Sequence, residues 1–151
     1  LLVYDPYVSA EDMAKYGVEK AETLEQVLKN ADFVSLHAKV TPETRNMIGE
    51  PQLAMMKPDA SLINTARGAL LDQDALVRAL REKRIAGAAL DVYDQEPQYD
   101  DSPLIGLDNI IMTPHIGGAT KDVIRHHSRM LAENVAAYGA GKELPNLVRP
   151  K

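Results

Sequence analysis

SLINTARG, Ser61 to Gly68, is a short apolar run that stops abruptly at small polar residues, an arginine and a glycine. Alternation does not decide its type, but its brevity does. A run this short, entered through Pro58-Asp59 and closed by Thr65, Arg67 and Gly68, suits a strand buried in a parallel sheet. Arg67 then stands just past the strand's carboxyl end, the edge at which open α/β sheets bind ligands. A guanidinium there offers a planar, permanently charged fork suited to a carboxylate. A lone arginine in such a place is as a rule a solvated loop residue, so the rest of the chain has to decide between the two readings.

Working outward, the chain alternates. Leu1 to Tyr4 reads as an apolar strand ending at Asp5-Pro6, and Ala10 to Tyr16 as a short helix closed by Gly17. Thr23 caps a helix through Asn30, with Gln26 three residues on to complete a capping box. Asp32 to His37 reads as the next strand. The loop AKVTPETRNMIG comes after it, with Pro42 at a helix start, then a short helix over Glu50 to Met56 and the turn Lys57-Pro58-Asp59. Beyond Gly68, Asp72 to Lys83 forms a helix with Leu76, Val77 and Leu80 on one face. Ile85 to Val92 and Asn109 to Thr113 read as strands, and Thr120 caps a long terminal helix running towards Ala140. Strands alternating with helices predict a doubly wound parallel α/β sheet of Rossmann-like class. No repeat, low-complexity stretch or linker interrupts it, and the tail ELPNLVRPK is expected to fray.

Composition sets the bounds. A chain of 151 residues that is 45% hydrophobic buries one good core, so one domain is expected. A net charge of -5 without a basic run argues against a nucleic-acid surface. No apolar run approaches bilayer length, and LLVYDPY lacks a charged leader and cleavage site; a cytoplasmic chain without a membrane partner is the reading. The absence of cysteine excludes disulfides and thiol catalysis but says little about compartment. The chain opens at Leu1 rather than methionine and enters a strand at once, as though something upstream had been removed.

Each expected strand ends in an ionisable residue. Asp5 comes after the first, His37 the second, Arg67 the third, Asp91 and Glu96 the fourth, and His115 the fifth. Right-handed crossovers bring these ends to one edge of the sheet. Arginine, carboxylate and histidine together form a coherent acid-base set. His126 and His127 fall on the terminal helix and read as packing or surface residues. His37 could border a ligand but is not read as catalytic, and Met55 and Met56 read as core filler.

INTARG, ALDVYDQEP and TPHIGG, in that order and with LH before TPETRNMIG upstream, resemble the cofactor domain of the D-isomer-specific 2-hydroxyacid dehydrogenases. The similarity runs from Leu1 to about Asn146, leaving 147–151 as a tail. The resemblance implies an NAD-dependent oxidoreductase acting on a small 2-keto or 2-hydroxy acid, with no metal site. Arg67 would bind the substrate carboxylate and polarise its carbonyl, and Glu96 with His115 would be the acid-base pair. For the cofactor, Asp5 would hold the adenine ribose, Thr65 and Ala66 would line the dinucleotide, and Asp91 would meet the nicotinamide carboxamide. Ile116, Gly117 and Gly118 would let backbone approach the nicotinamide.

Chemistry supports these roles separately. Reducing a 2-keto acid needs a hydride, a proton for the developing alkoxide and a cation for the carboxylate. His115 suits the proton, because an unperturbed histidine titrates near ~6.5, and an ionised glutamate beside it favours the protonated ring.

The chain departs from the family pattern in one respect. The strand, G-x-G-x-x-G and helix that open a dinucleotide-binding unit do not occur in it, although Asp5 stands where the ribose-binding acid comes after such a loop. This leaves two expectations. In the first, the chain is the carboxyl-terminal portion of a cofactor domain, without its first βα unit and substrate domain. In the second, it is a catalytically silent half-domain that folds in a flavodoxin-like way or associates with another chain. Loss of a first strand would bare apolar surface, so a homodimer is expected.

Overall fold

In the computed structural model, which describes residues 1–148, strands and helices alternate along the chain as β1 (Leu2–Val3), α1 (Ala10–Ala14), β2 (Glu19–Lys20), α2 (Leu24–Asn30), β3 (Phe33–Leu36), α3 (Glu50–Leu53), β4 (Ser61–Asn64), α4 (Gln73–Arg81), β5 (Gly87–Leu90), β6 (Ile110–Met112) and α5 (Lys121–Gly139). A 3-10 turn, Gly68–Leu70, lies between β4 and α4. The chain divides into two compact units, Leu1–His115 and a second beginning at Ile116.

The caps act as the sequence implies. Thr23 accepts from the Gln26 amide at 3.2 Å, Asp72 from Ala75 at 2.9 Å and Thr120 from Val123 at 3.1 Å. Gln26 departs from the expected box in one detail. Its Oε1 accepts from the Glu22 amide at 3.0 Å, one residue before the cap. Pro42 starts no helix, because threonine hydroxyls take the local backbone groups instead: Thr44 Oγ1 accepts from the Thr41 amide at 2.8 Å and donates to Lys39 O at 2.6 Å. β1, β3, α4, β5 and β6 are one or two residues shorter at each end than expected, and α1 and α3 stop two and three residues early. Ile85 and Val92 stay buried although neither lies within β5.

All strand pairs are parallel, yet the single sheet expected from the alternation is divided in two. One sheet joins β1 to β2; the other runs β3-β4-β5-β6. The two-residue β2 escaped the sequence reading because Glu-Lys carries no apolar signal, and it is a strand only because Leu2 and Val3 lie beside it.

In the four-stranded sheet, register sets Leu36, Asn64 and Leu90 in one row across β3, β4 and β5, and Val34, Leu62 and Ala88 in another. These residues share one face and are buried together with Leu28 of α2, Leu53 of α3 and Leu76, Val77 and Leu80 of α4. The opposite face is more open. Phe33 and Ile111, on that face by alternation, are 72% and 70% exposed. Parallel sheets are ordinarily covered on both sides, and Phe33 and Ile111 leave this face more open than that rule.

In the second unit, Thr120 starts α5, along which no residue is buried. After it, the Asn146 amide donates to Asn134 Oδ1 at 3.2 Å, which ties the start of the expected tail back to the helix. The fraying expected at 149–151 falls outside the described residues.

Candidate active site

The site is built from the segments that leave β4, β5 and β6 at their carboxyl ends. Thr113, just past β6, donates its amide to Leu90 O at 2.9 Å, which extends the strand pairing by one residue. Pro114 then turns the chain, and the His115 amide folds back on Thr113 O at 3.0 Å. His115 itself sits at φ 54°, a left-handed conformation that costs a non-glycine residue on the order of 1 kcal/mol and persists only where neighbours hold it. Glu96 reaches this turn from the segment after β5. Its Oε2 lies 2.7 Å from His115 Nδ1, and its Oε1 accepts from the Tyr93 amide at 2.9 Å.

The histidine and the Tyr93 amide hold the Glu96 carboxyl below the usual carboxylate range. An ionised carboxylate accepts only, so Nδ1 carries a proton and donates to it. Nε2 is thereby the ring nitrogen that does not meet Glu96.

Asp91, at the end of β5, is 6% exposed and accepts from Thr113 Oγ1 at 2.5 Å. A cleft of about 480 Å³ opens beside this cluster, lined among others by Tyr93, Glu96, Pro97, Met112, Thr113 and His115. Its mixture of apolar wall and a few converging polar groups is what a small-ligand site requires.

The remaining expected residues are placed less closely. Arg67 lies just after β4 as anticipated and is exposed, its Nη1 donating to Ala66 O at 2.6 Å; it does not line the cleft. Thr65 is exposed and Ala66 half-buried beside it. Asp5 lies just after β1, where its Oδ1 accepts from the Tyr7 amide at 2.8 Å in a turn. His37 Nε2 lies 2.9 Å from Ser35 Oγ. Ile116, Gly117 and Gly118 belong to the second unit, and a Cβ added at Gly118 would meet nothing within 4 Å. His126 pairs with Arg129 along α5, at 3.1 Å, in keeping with a surface role.

Three residues of the site were not anticipated. Asn64 is fully buried: its Nδ2 donates to Arg67 O at 2.9 Å and its Oδ1 accepts from the Ala66 amide at 3.1 Å, bracing the loop that carries Arg67. Gly68 lies so close to the next loop that an added Cβ would fall 2.0 Å from Tyr93 O. Tyr93 is the third. The signal for Asn64 was present, since an asparagine within an otherwise apolar strand needs hydrogen bonds once buried; the other two carried none.

A family model described as D-isomer specific 2-hydroxyacid dehydrogenase, NAD binding domain, matches residues 1–117, and the chain belongs to that family. Among relatives, it is 47% identical to a glyoxylate reductase of Korarchaeum cryptofilum over 98% of its own length and 44% of that protein's. It is 41% identical to a D-3-phosphoglycerate dehydrogenase of Methanocaldococcus jannaschii, again over 98% of itself but 28% of the relative. Among solved structures, D-mandelate dehydrogenase of Rhodotorula graminis superposes with a TM-score of 0.87 at 32% identity, covering 99% of this chain and 44% of that one. D-lactate dehydrogenase of Lactobacillus jensenii, solved with NAD+, gives 0.85 at 34% identity, covering 99% and 48%. The chain therefore spans less than half the length of these proteins. Its fold is the Rossmann-like one of an NAD-binding domain.

Proposed function

We propose that these residues serve an oxidoreductase that moves a hydride between NAD and a small 2-keto or 2-hydroxy acid. The observation that carries the reading is the Glu96–His115 pair, 2.7 Å apart in a cleft beside the strands' carboxyl ends, with the carboxylate held ionised. His115 gives its Nε2 proton to the carbonyl oxygen during reduction and removes it during oxidation. Glu96 orients the ring through its contact with Nδ1. Arg67 takes the substrate carboxylate in a two-pronged contact and polarises the carbonyl.

The residues present fit the two ends of the cofactor. Asp5 would offer a carboxylate for ribose hydroxyls and Asp91 a buried acceptor for the carboxamide, and Thr65 and Ala66 would flank the dinucleotide. The cofactor, when bound, supplies hydride transfer. No G-x-G-x-x-G occurs in the 151 residues to cradle its pyrophosphate.

The test is NADH oxidation driven by a panel of small 2-keto acids, in the longest natural polypeptide that carries these residues. No turnover with any member would overturn the reading. Asp5 makes a narrower prediction for the same assay: a carboxylate held at the ribose position repels a 2′-phosphate, so NADH should be preferred to NADPH in kcat/KM by roughly tenfold or more. Equal efficiencies would count against Asp5 as the ribose ligand.

A second reading is favoured by the open sheet face. There the chain is a half-domain, silent by itself, that associates through the face carrying Phe33 and Ile111. The same surface supports a homodimer under the first reading, which also carries a cytoplasmic location. Among the described residues no helix is long and apolar enough to cross a membrane.

A further inference from the structure

Tyr93 touches every loop of the site. Its amide donates to Glu96 Oε1 at 2.9 Å, and its carbonyl lies directly beneath Gly68, the residue after Arg67. Its ring is buried, and its hydroxyl reaches back to two carbonyls at the end of the β5–β6 pairing, Thr113 O at 2.8 Å and Leu90 O at 3.1 Å. Thr113 O is the same oxygen on which the His115 amide folds, at 3.0 Å. One side chain and its own backbone thus hold both partners of the pair, Glu96 directly and His115 through the Thr113 carbonyl.

We propose that Tyr93 is a positioning residue for the Glu96–His115 pair, its hydroxyl pinning the Thr113 carbonyl that keeps His115 in its left-handed turn. The inference rests on the reading of that pair as the acid-base couple. A strained backbone needs such neighbours: without a fixed acceptor, His115 relaxes towards ordinary φ and its ring leaves the carboxylate. Two carbonyls share one hydroxyl proton, so the phenol must stay protonated to serve both. Burial chiefly, with the charges of Asp91 and Glu96 added, pushes its ionisation above the usual phenol range and keeps it a donor.

The test is Tyr93→Phe, which keeps the buried ring and removes the hydroxyl alone. Glu96, which faces His115 and the Tyr93 amide and feels the Asp91 charge, reports the geometry through its carboxyl titration, followed by NMR in the 151-residue chain. In the variant its midpoint should rise towards that of an ordinary glutamate, because the His115 contact that lowers it is made for less of the time. In an active polypeptide carrying the same residues, kcat should fall by roughly tenfold with KM within about twofold, the pattern of a misplaced proton donor. A folded variant with an unmoved Glu96 midpoint would overturn the proposal, as would a rise in KM with kcat unchanged. Should the variant fail to fold, the wild-type chain decides. Its Tyr93 hydroxyl proton should exchange slowly with solvent and show a nuclear Overhauser effect to the His115 amide; fast exchange and no such effect would overturn it. The titration requires no turnover, so it succeeds or fails separately from the acid-base assignment.

Discussion

Replacing His115 with asparagine in an active polypeptide that carries these residues is expected to lower kcat by roughly two to four orders of magnitude, the span associated with a positioned acid-base group. Asparagine retains a polar side chain of similar reach, so Glu96 Oε2 still finds a donor. It has no group that titrates near neutrality, so the proton needed by the developing alkoxide has no source at that position. Substrate binding should change little, because the carboxylate is assigned to Arg67, and the loss belongs in kcat rather than in KM. Steady-state kinetics with a small 2-keto acid and NADH is the measurement. Turnover near that of the wild type would mean that another group delivers the proton, and the Glu96–His115 contact would then be structural.

The second large effect concerns the 151 residues by themselves. Affinity for a dinucleotide leans on backbone amides and a helix N-terminus aimed at the pyrophosphate. Helix N-termini do occur here, at α2 and α4 for instance, but Thr23 and Asp72 occupy them with their own side chains, and no glycine-rich turn lets backbone approach a phosphate. The contacts proposed here are only those of Asp5 at one end of the cofactor and of the Asp91 and His115 cluster at the other. The chain alone is therefore expected to bind NAD only in the millimolar range or more weakly, no more than about 4 kcal/mol, and to show no turnover. Isothermal titration with NAD decides it. Micromolar affinity would mean that the pyrophosphate is cradled by other groups, such as a second copy meeting the open sheet face, and would end the claim that the isolated chain is silent.

Several features were legible because they are local. Thr23, Asp72 and Thr120 announce helix starts by their own chemistry, and Gly17 announces a stop, which it makes at φ 69°. Brief apolar runs between such punctuation sufficed to place β3, β4, β5 and β6, though not to trim them, since residues such as Ile85 and Val92 are as buried as those in the strand between them. Pro42 misled for a related reason: its suitability for a first helical turn is local, but so is the competition from Thr41 and Thr44, and the hydroxyls won.

By itself, then, the sequence determined the parallel α/β class and which ionisable residues close which strand, because burial pattern, caps and turn residues act within a few positions of themselves. Tertiary structure alone decided the rest. It divided the sheet, since β2 becomes a strand only beside Leu2 and Val3. It brought Glu96 and His115, 19 residues apart, to 2.7 Å and chose Nδ1 as the nitrogen that meets the carboxylate. It made Gly68 indispensable against Tyr93 O, and set the Tyr93 hydroxyl on the carbonyl that holds His115. Each of these depends on what a distant segment places within a few ångströms, and no periodicity in the chain records a contact of that kind.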